Sequence, residues 1–493
     1  MADKNSLKKY EILQPLLLAL MVTIGILAGR KIEQSSTPEA KIKTTTTTLS
    51  KPNSGFLEEA TRFIQARYID SININDVSEM AISSMLHELD PFSAYLSAQR
   101  QLLDSALSIE EAFGISVINH HHTWLIDQVV PGSVAWDMPI APGDLMVRAN
   151  DSMTNASILQ SWQSPQLKLE LKAPDQHNST LVTLPRSNPT EINTVFPVAI
   201  LKAGIGYIKI KHFGDHTYDE FITALDTLIS KHKVKDLVLD LRDNAGGYIE
   251  ECTRILNQLF KEKNTLLVAT QGRTVRKAEY KTDGRQLFDL EKVCILVNAR
   301  SASASEVFAG AIQDLDRGII IGQPTYGKGL VQEQYMLSNG GALRLSVARF
   351  YLPSGRNLDL SRSENMISKQ YLTKNGRKIA RSPNIIPDII VALDTTLAIP
   401  GWLSIKPTIT TEIFKLKLDQ QSGTFNPKST NEVENKIIRA TGLNINKLNK
   451  TQQAFLTEEI TQAWYLAGKE YSKWLNQHLL KQPEIQSAIS YLK

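Results

Sequence analysis

SASASEVFAGAIQD, Ser301 to Asp314, follows the apolar run VCILVNAR and precedes GIIIGQPTYGKGLVQ, Gly318 to Gln332. Val293 to Val297 is short, continuous and β-branched, as a strand buried on both faces should be, whereas Val307, Phe308, Ala311, Ile312 and Leu315 recur at helical spacing. The stretch therefore reads as strand, serine-rich turn, helix and second strand. Unpaired N–H groups and the positive end of the helix dipole converge at such a turn, so a hydroxyl there loses its proton more easily and an oxyanion can be held nearby. Lys328 follows between Gly327 and Gly329. If the chain is extended from there, side chains 328, 330 and 332 share a face, which predicts a hydrogen bond between Gln332 and the lysine amine. A lysine that accepts a proton near neutral pH needs a pKa well below ~10.4, and burial among apolar groups can supply that.

Working outward, LVLDLRDNAGG predicts a buried strand, Leu237 to Leu241, that ends in Asn244, Ala245, Gly246 and Gly247 before another helix. Two adjacent glycines let backbone N–H groups point into open space, which suits an oxyanion hole. Gly204 to Phe213 reads as a strand, and Thr217 with Glu220 as a capping box for a helix running to His232. Ala342 to Leu358 and Ile385 to Val391 supply later strands. Strands alternating with helices across 204–323 imply an α/β core with a parallel or mixed sheet.

The serine motif, the GKG lysine with a glutamine four residues on, and DLRxNxGG occur in the order found in the C-terminal processing peptidases, or tail-specific proteases, and the chain resembles that family over about 56–392. The resemblance implies a Ser–Lys serine protease with Ser303 as nucleophile, Lys328 as base and Gln332 as its orienter. Gly246 and Gly247 would form the oxyanion hole with a backbone N–H near Ser303. Ser301 and Ser305 are the neighbouring hydroxyls that could be confused with the nucleophile. The family commonly shows glycine and proline where Asp243 and Ala245 stand. LDPFSAYL, Leu89 to Leu96, is similar to the family's N-terminal helical segment; its role by physics alone is structural.

Between 109 and about 188, five short strand-like runs, Gly114–Ile118, Trp124–Val129, Leu145–Arg148, Leu167–Leu171 and Thr180–Leu184, suggest a small β-rich module. AFGISV, then VVPGSVA, then APGDLMVRAND resembles a PDZ domain. That likeness implies a carboxylate-binding loop at Phe113, Gly114, Ile115 and Ser116, a helix-starting turn at Gly132 and a GD turn at Gly143 and Asp144. A peptide would add to the sheet edge as a strand, with Ile115 and Val117 lining the adjoining pocket.

The chain has 493 residues, 42% of them hydrophobic and 22% charged, with a formal charge of +4. That is an ordinary globular balance, and no dense basic stretch with interleaved aromatics points to nucleic acid. Cys252 and Cys294 cannot build a disulfide framework and read as buried free thiols. Lys4, Lys8 and Lys9 precede an apolar run from Ile12 to Gly29, followed at once by Arg30 and Lys31. This pattern favours an uncleaved anchor over a cleaved leader, which would hold the chain at the inner membrane of the cell envelope with its catalytic region on the periplasmic or extracytoplasmic side. The Thr44–Thr48 run and scattered Ser, Pro and Lys make 32–55 a tether.

The expected organisation is an anchor at 1–31, a linker at 32–55, an N-terminal helical segment at 56–108, a PDZ-like domain at 109–188, the protease core at 189–392 and a C-terminal helical region at 393–493. In the last, Leu456, Ile460, Ala463, Trp464, Ala467, Tyr471 and Trp474 keep a three-and-four spacing, a packing face that could also serve a homo-oligomer. His120, His121 and His122 alternate across a strand and lack partners at ligand spacing, so no metal is implied, nor any organic cofactor. The expected substrates are proteins or peptides with free C-termini. Two other classes remain: a Ser–His–Asp hydrolase using His212 or His216, and a catalytically silent peptide-binding scaffold.

Overall fold

The computed structural model describes residues 55–392 apart from 99, 101–108, 121–122, 131–132, 151–163, 174–177, 187–193, 197, 359–369 and 381; it also describes scattered residues between 399 and 439, then 441–467 and 478–493. The expected anchor, nearly all of the tether, Gly132, His121, His122, Tyr471 and Trp474 lie outside the described residues. The helices are α1 (Gly55–Arg67), α2 (Ile74–His87), α3 (Ile109–Phe113), α4 (Thr217–Asp226), α5 (Ile249–Asn257), α6 (Ala304–Asp314), α7 (Lys450–Ala467) and α8 (Pro483–Leu492). The first strands are β1 (Ala94–Leu96), β2 (Ile115–His120), β3 (Thr123–Val129), β4 (Leu145–Ala149), β5 (Gln166–Lys172) and β6 (Thr180–Pro185). Then follow β7 (Ala199–Lys202), β8 (Ile205–Lys209), β9 (Asp236–Asp240), β10 (Leu266–Gly272), β11 (Ala278–Lys281), β12 (Val293–Val297), β13 (Ile319–Gly322), β14 (Leu330–Met336), β15 (Ala342–Tyr351) and β16 (Ile389–Ile390).

Two compact units, Met1–Asn75 and Asp76–Lys493, divide the chain. In the first, α1 buries none of its side chains, and Phe56 and Phe63 are exposed.

In the second unit β12 lies inside a six-stranded sheet ordered β16-β13-β12-β9-β8-β7, in which every pairing is parallel except that of the edge strand β7 with β8. All five residues of VCILV are buried, and alternation sends them to two cores. Val293, Ile295 and Val297 join Phe221, Leu256 and Phe308 from α4, α5 and α6, whereas Cys294 and Leu296 join Ile485, Ala488 and Ile489 from α8. Helices thus cover both faces, which is why this strand reads as a continuous apolar run rather than an alternating one. Each fully buried aliphatic side chain contributes about 1.5–3 kcal/mol, so an acidic residue at 294 or 296 would strip α8 from the sheet. Both cysteines are free and buried.

A five-stranded sheet runs β1-β15-β10-β11, with β14 also paired to β15. Through β1, the end of LDPFSAYL is an edge strand beside Ala342–Arg344. Residues 115–185 form a separate antiparallel sheet, β2-β3-β4-β5-β6, around its own core. In α7, Leu456, Ile460, Ala463 and Trp464 pack against Ile399, Ile409 and Ile413, as a helical stripe should. In α2 only Leu86 is buried, while Met80 and Met85 are exposed.

One local expectation fails. Thr217 is the first residue of α4 and His216 its cap; the Glu220 carboxylate instead accepts the Thr194 N–H (2.6 Å) and the Val195 N–H (2.8 Å). Two N–H groups brought alongside by the fold are stronger partners than the helix's own first turn. The Thr217 hydroxyl accepts from the Gly214 N–H at 2.8 Å. The helix does continue as far as predicted, through a π-helical turn at Thr227–Lys231.

Candidate active site

Between Ser301 and Asp314, Ser303 alone keeps solvent access. The neighbouring hydroxyls are engaged: Ser301 donates to the Leu241 carbonyl at 2.7 Å and Ser305 to the Asn244 carbonyl at 2.9 Å. Both tie the serine turn to the loop after β9. Ser303 caps α6 with φ 55° and ψ −118°, a left-handed conformation that costs a non-glycine residue about 1–3 kcal/mol and persists only where surrounding structure imposes it.

The double glycine lies beside it. A Cβ on Gly246 would stand 2.8 Å from the Ser303 Cβ, and both glycines have positive φ, 107° and 138°. Their N–H groups differ. That of Gly246 donates to Asn244 Oδ1 at 2.8 Å, whereas that of Gly247 has no partner among the described residues. Asn244 also donates to the Ile210 carbonyl at 3.0 Å, so the motif's asparagine shapes the loop. Asp243 has φ 67°, a conformation that favours glycine but that aspartate tolerates; its carboxylate is tied to Asn298 Nδ2 and Arg300 Nε, each at 2.7 Å. The motif's Asp240 is fully buried: burial raises its carboxyl, but Arg242, Lys209 and the Tyr207 hydroxyl outweigh that and bring it down to about 2. Arg242 in turn reaches Gln482 (2.7 Å) and Glu484 (3.3 Å) at the start of α8.

Lys328 is half-buried, and burial followed by the charge of Arg344 lowers its pKa, against a smaller opposing pull from Glu306. Its amine has no hydrogen-bond partner among the described residues. The hydrogen bond expected from Gln332 is not formed: Gln332 Nε2 donates to the Phe92 carbonyl at 2.8 Å. The β14–β15 register also shifts between Val331 and Gln332, where the extra residue, Val347, lies on β15.

Glu306 is the residue the sequence reading passed over. It is fully buried, and its Oε2 accepts the N–H of Ser303 (3.0 Å) and of Lys328 (2.8 Å), while Oε1 accepts the Thr325 hydroxyl (2.6 Å) and the Gly327 N–H (2.7 Å). One carboxylate thus holds the backbone of both candidate catalytic residues. Burial raises its carboxyl pKa and these four donors draw it back. Its signal was present: Ser303-x-x-Glu306 has capping-box spacing.

Residues 204–364 match the model of peptidase family S41. These residues carry a peptidase family S41 domain, and the chain is similar to carboxy-terminal processing proteases. It is 28% identical over 311 residues to a carboxy-terminal-processing protease of Bartonella bacilliformis, covering 60% of this chain and 70% of that one. It is 29% identical over 362 residues to carboxyl-terminal-processing peptidase 2, chloroplastic, of Arabidopsis thaliana (64% and 69%) and 25% identical over 346 residues to CtpB of Bacillus subtilis (67% and 71%). Among solved structures it is similar to a photosystem II D1 C-terminal processing protease, 24% identical, over 69% of this chain and 92% of that one, with a TM-score of 0.38. The chain is a serine-type peptidase with an α/β core.

In this peptidase the residues named for the peptide-binding loop sit at the start of the 115–185 sheet. Phe113 ends α3, Gly114 has φ 71°, and among the described residues β2 is an edge strand paired only to β3. A Cβ on Gly114 would meet Ser133 Oγ at 2.0 Å, so only glycine fits. Phe113 and Ile115 are fully buried in the module core, and Val117 packs against it. The expectation that Ile115 lines an open pocket therefore does not hold, because strand alternation turns it inward.

Proposed function

We infer that this serine-type peptidase is an endopeptidase that cuts proteins near their C-termini with a Ser–Lys dyad. The observation that carries the reading is the left-handed Ser303 at the head of α6, packed against Gly246 and tied through Glu306 to the backbone of a lysine whose pKa is lowered. Ser303 Oγ would attack the scissile carbonyl, and Lys328 would take the proton and return it to the leaving amine. The N–H groups of Gly247 and of Ala304, the residue after the nucleophile, would hold the oxyanion, since that of Gly246 is already engaged. Gln332 remains the candidate orienter of the lysine.

The 115–185 sheet is read as a PDZ domain that receives the substrate's free C-terminus on the loop Phe113–Ser116 and its backbone along the edge of β2. Residues 1–31 are read as the membrane anchor, with catalysis in the cell envelope; among the described residues no helix is long and apolar enough to cross a membrane. Hydrolysis of matched peptides with a free or amidated C-terminus tests the substrate reading, with Ser303→Ala as the inactive control. Loss of a charge-assisted hydrogen bond, about 1.5–3 kcal/mol, predicts that amidation raises KM about 10- to 150-fold. Equal cleavage of both forms would overturn the PDZ reading while leaving the dyad standing.

A further inference from the structure

The turn Asp90–Ser93, inside LDPFSAYL, is stitched more tightly than an edge-strand leader requires. Asp90 Oδ1 accepts the N–H groups of Phe92 and Ser93, both at 2.8 Å, and the Ser346 hydroxyl at 3.2 Å; Oδ2 accepts the Ser93 hydroxyl at 2.7 Å. The Ser93 hydroxyl also accepts the Ser346 N–H at 3.1 Å. Ser346 lies directly across the β14–β15 ladder from Gln332. The turn is thus locked to the strand position facing Gln332, and the group it presents there is the Phe92 carbonyl, 2.8 Å from Gln332 Nε2.

A glutamine amide can offer either its oxygen or its NH2 in a given direction, and only the oxygen suits a lysine acting as base: it accepts an amine N–H, whereas the NH2 would occupy the lone pair that Ser303 needs. The Phe92 carbonyl can only accept. It therefore fixes the amide with Nε2 toward the turn and leaves Oε1, which has no donor among the described residues, as the acceptor. We propose that the Asp90–Ser93 turn is a positioning element of the active site, setting the orientation of Gln332 through the Phe92 carbonyl. This rests on the Ser303–Lys328–Gln332 reading and adds to it a segment more than 200 residues away in the chain.

Peptide hydrolysis by the full chain is compared for Gln332→Ala, Ser93→Ala, Asp90→Asn and each double variant with Gln332→Ala, at a temperature where unfolding curves show every protein folded. Ser93→Ala and the milder Asp90→Asn each guard against the other failing to fold. Each single variant should lower kcat about tenfold with KM within about twofold, and each double should be no slower than Gln332→Ala alone, because the turn acts only through that side chain. The rising limb of the pH profile should move by the same amount in the turn variants as in Gln332→Ala. Losses that multiply in the doubles, or turn variants that match wild type while Gln332→Ala is slow, would overturn the positioning role alone. Gln332→Ala at the wild-type rate would overturn the Ser–Lys–Gln reading itself.

Discussion

Glu306→Gln changes one atom of a fully buried side chain and should disable the peptidase. The carboxylate offers two oxygens to four donors; glutamine keeps one oxygen and turns an NH2 group toward the other two donors. Whichever way the amide settles, two buried donors lose their acceptor. If the oxygen stays with the Thr325 hydroxyl and the Gly327 N–H, the orphaned pair is the N–H of Ser303 and that of Lys328. An unpaired buried donor costs about 1–3 kcal/mol, so two cost about 2–6 kcal/mol, readable as a lowered midpoint in urea unfolding. The same change frees the peptides of Ser303 and Lys328 from their common anchor, and a displacement near 1 Å between nucleophile and base lowers kcat about 10²-fold. Measured together, the two readouts test one cause. An unchanged unfolding midpoint with kcat within threefold of wild type would refute the claim that this carboxylate joins the two halves of the site.

Ser303→Gly and Ser303→Ala should both abolish peptide hydrolysis, but glycine relieves the φ 55° backbone and alanine does not, so the glycine variant should be more stable by about 1–3 kcal/mol in urea unfolding; equal stability would show that the turn is unstrained. Gly246→Ala, with its Cβ 2.8 Å from that of Ser303, should lose activity and stability together, and an active variant would remove Gly246 from the site. Burial and then Arg344 lower the pKa of Lys328, so between that lowered value and ~10.4 the unfolded chain holds a proton the native state lacks and stability rises with pH. Lys328→Met should therefore stabilise the protein most below that lowered value, with the advantage shrinking as pH rises from it towards ~10.4. A gap in unfolding midpoint that stays constant or widens with pH would contradict this.

The catalytic scaffold was legible because its signals are local. VCILV declares a doubly buried strand by being apolar without interruption, and the helical spacing from Val307 to Ile312 sits directly after the serines. The five strands of the 115–185 module were likewise visible as short runs between turn residues. What tertiary structure decided was the choice of hydrogen-bond partners. Sequence offered three serines, and only packing against the loop after β9 shows that Ser301 and Ser305 are tied to carbonyls while Ser303 is not. It offered Gln332 to Lys328 by strand parity, and the assembled fold brought the Phe92 carbonyl, far away in the chain, to the Gln332 amide instead. It offered Thr217 and Glu220 to each other, and the N–H groups of Thr194 and Val195 took the carboxylate. Periodicity is a property of a segment and survives in the linear chain. A hydrogen bond needs a donor and an acceptor within about 3 Å, and which groups meet at that distance is fixed only once the sheets are assembled.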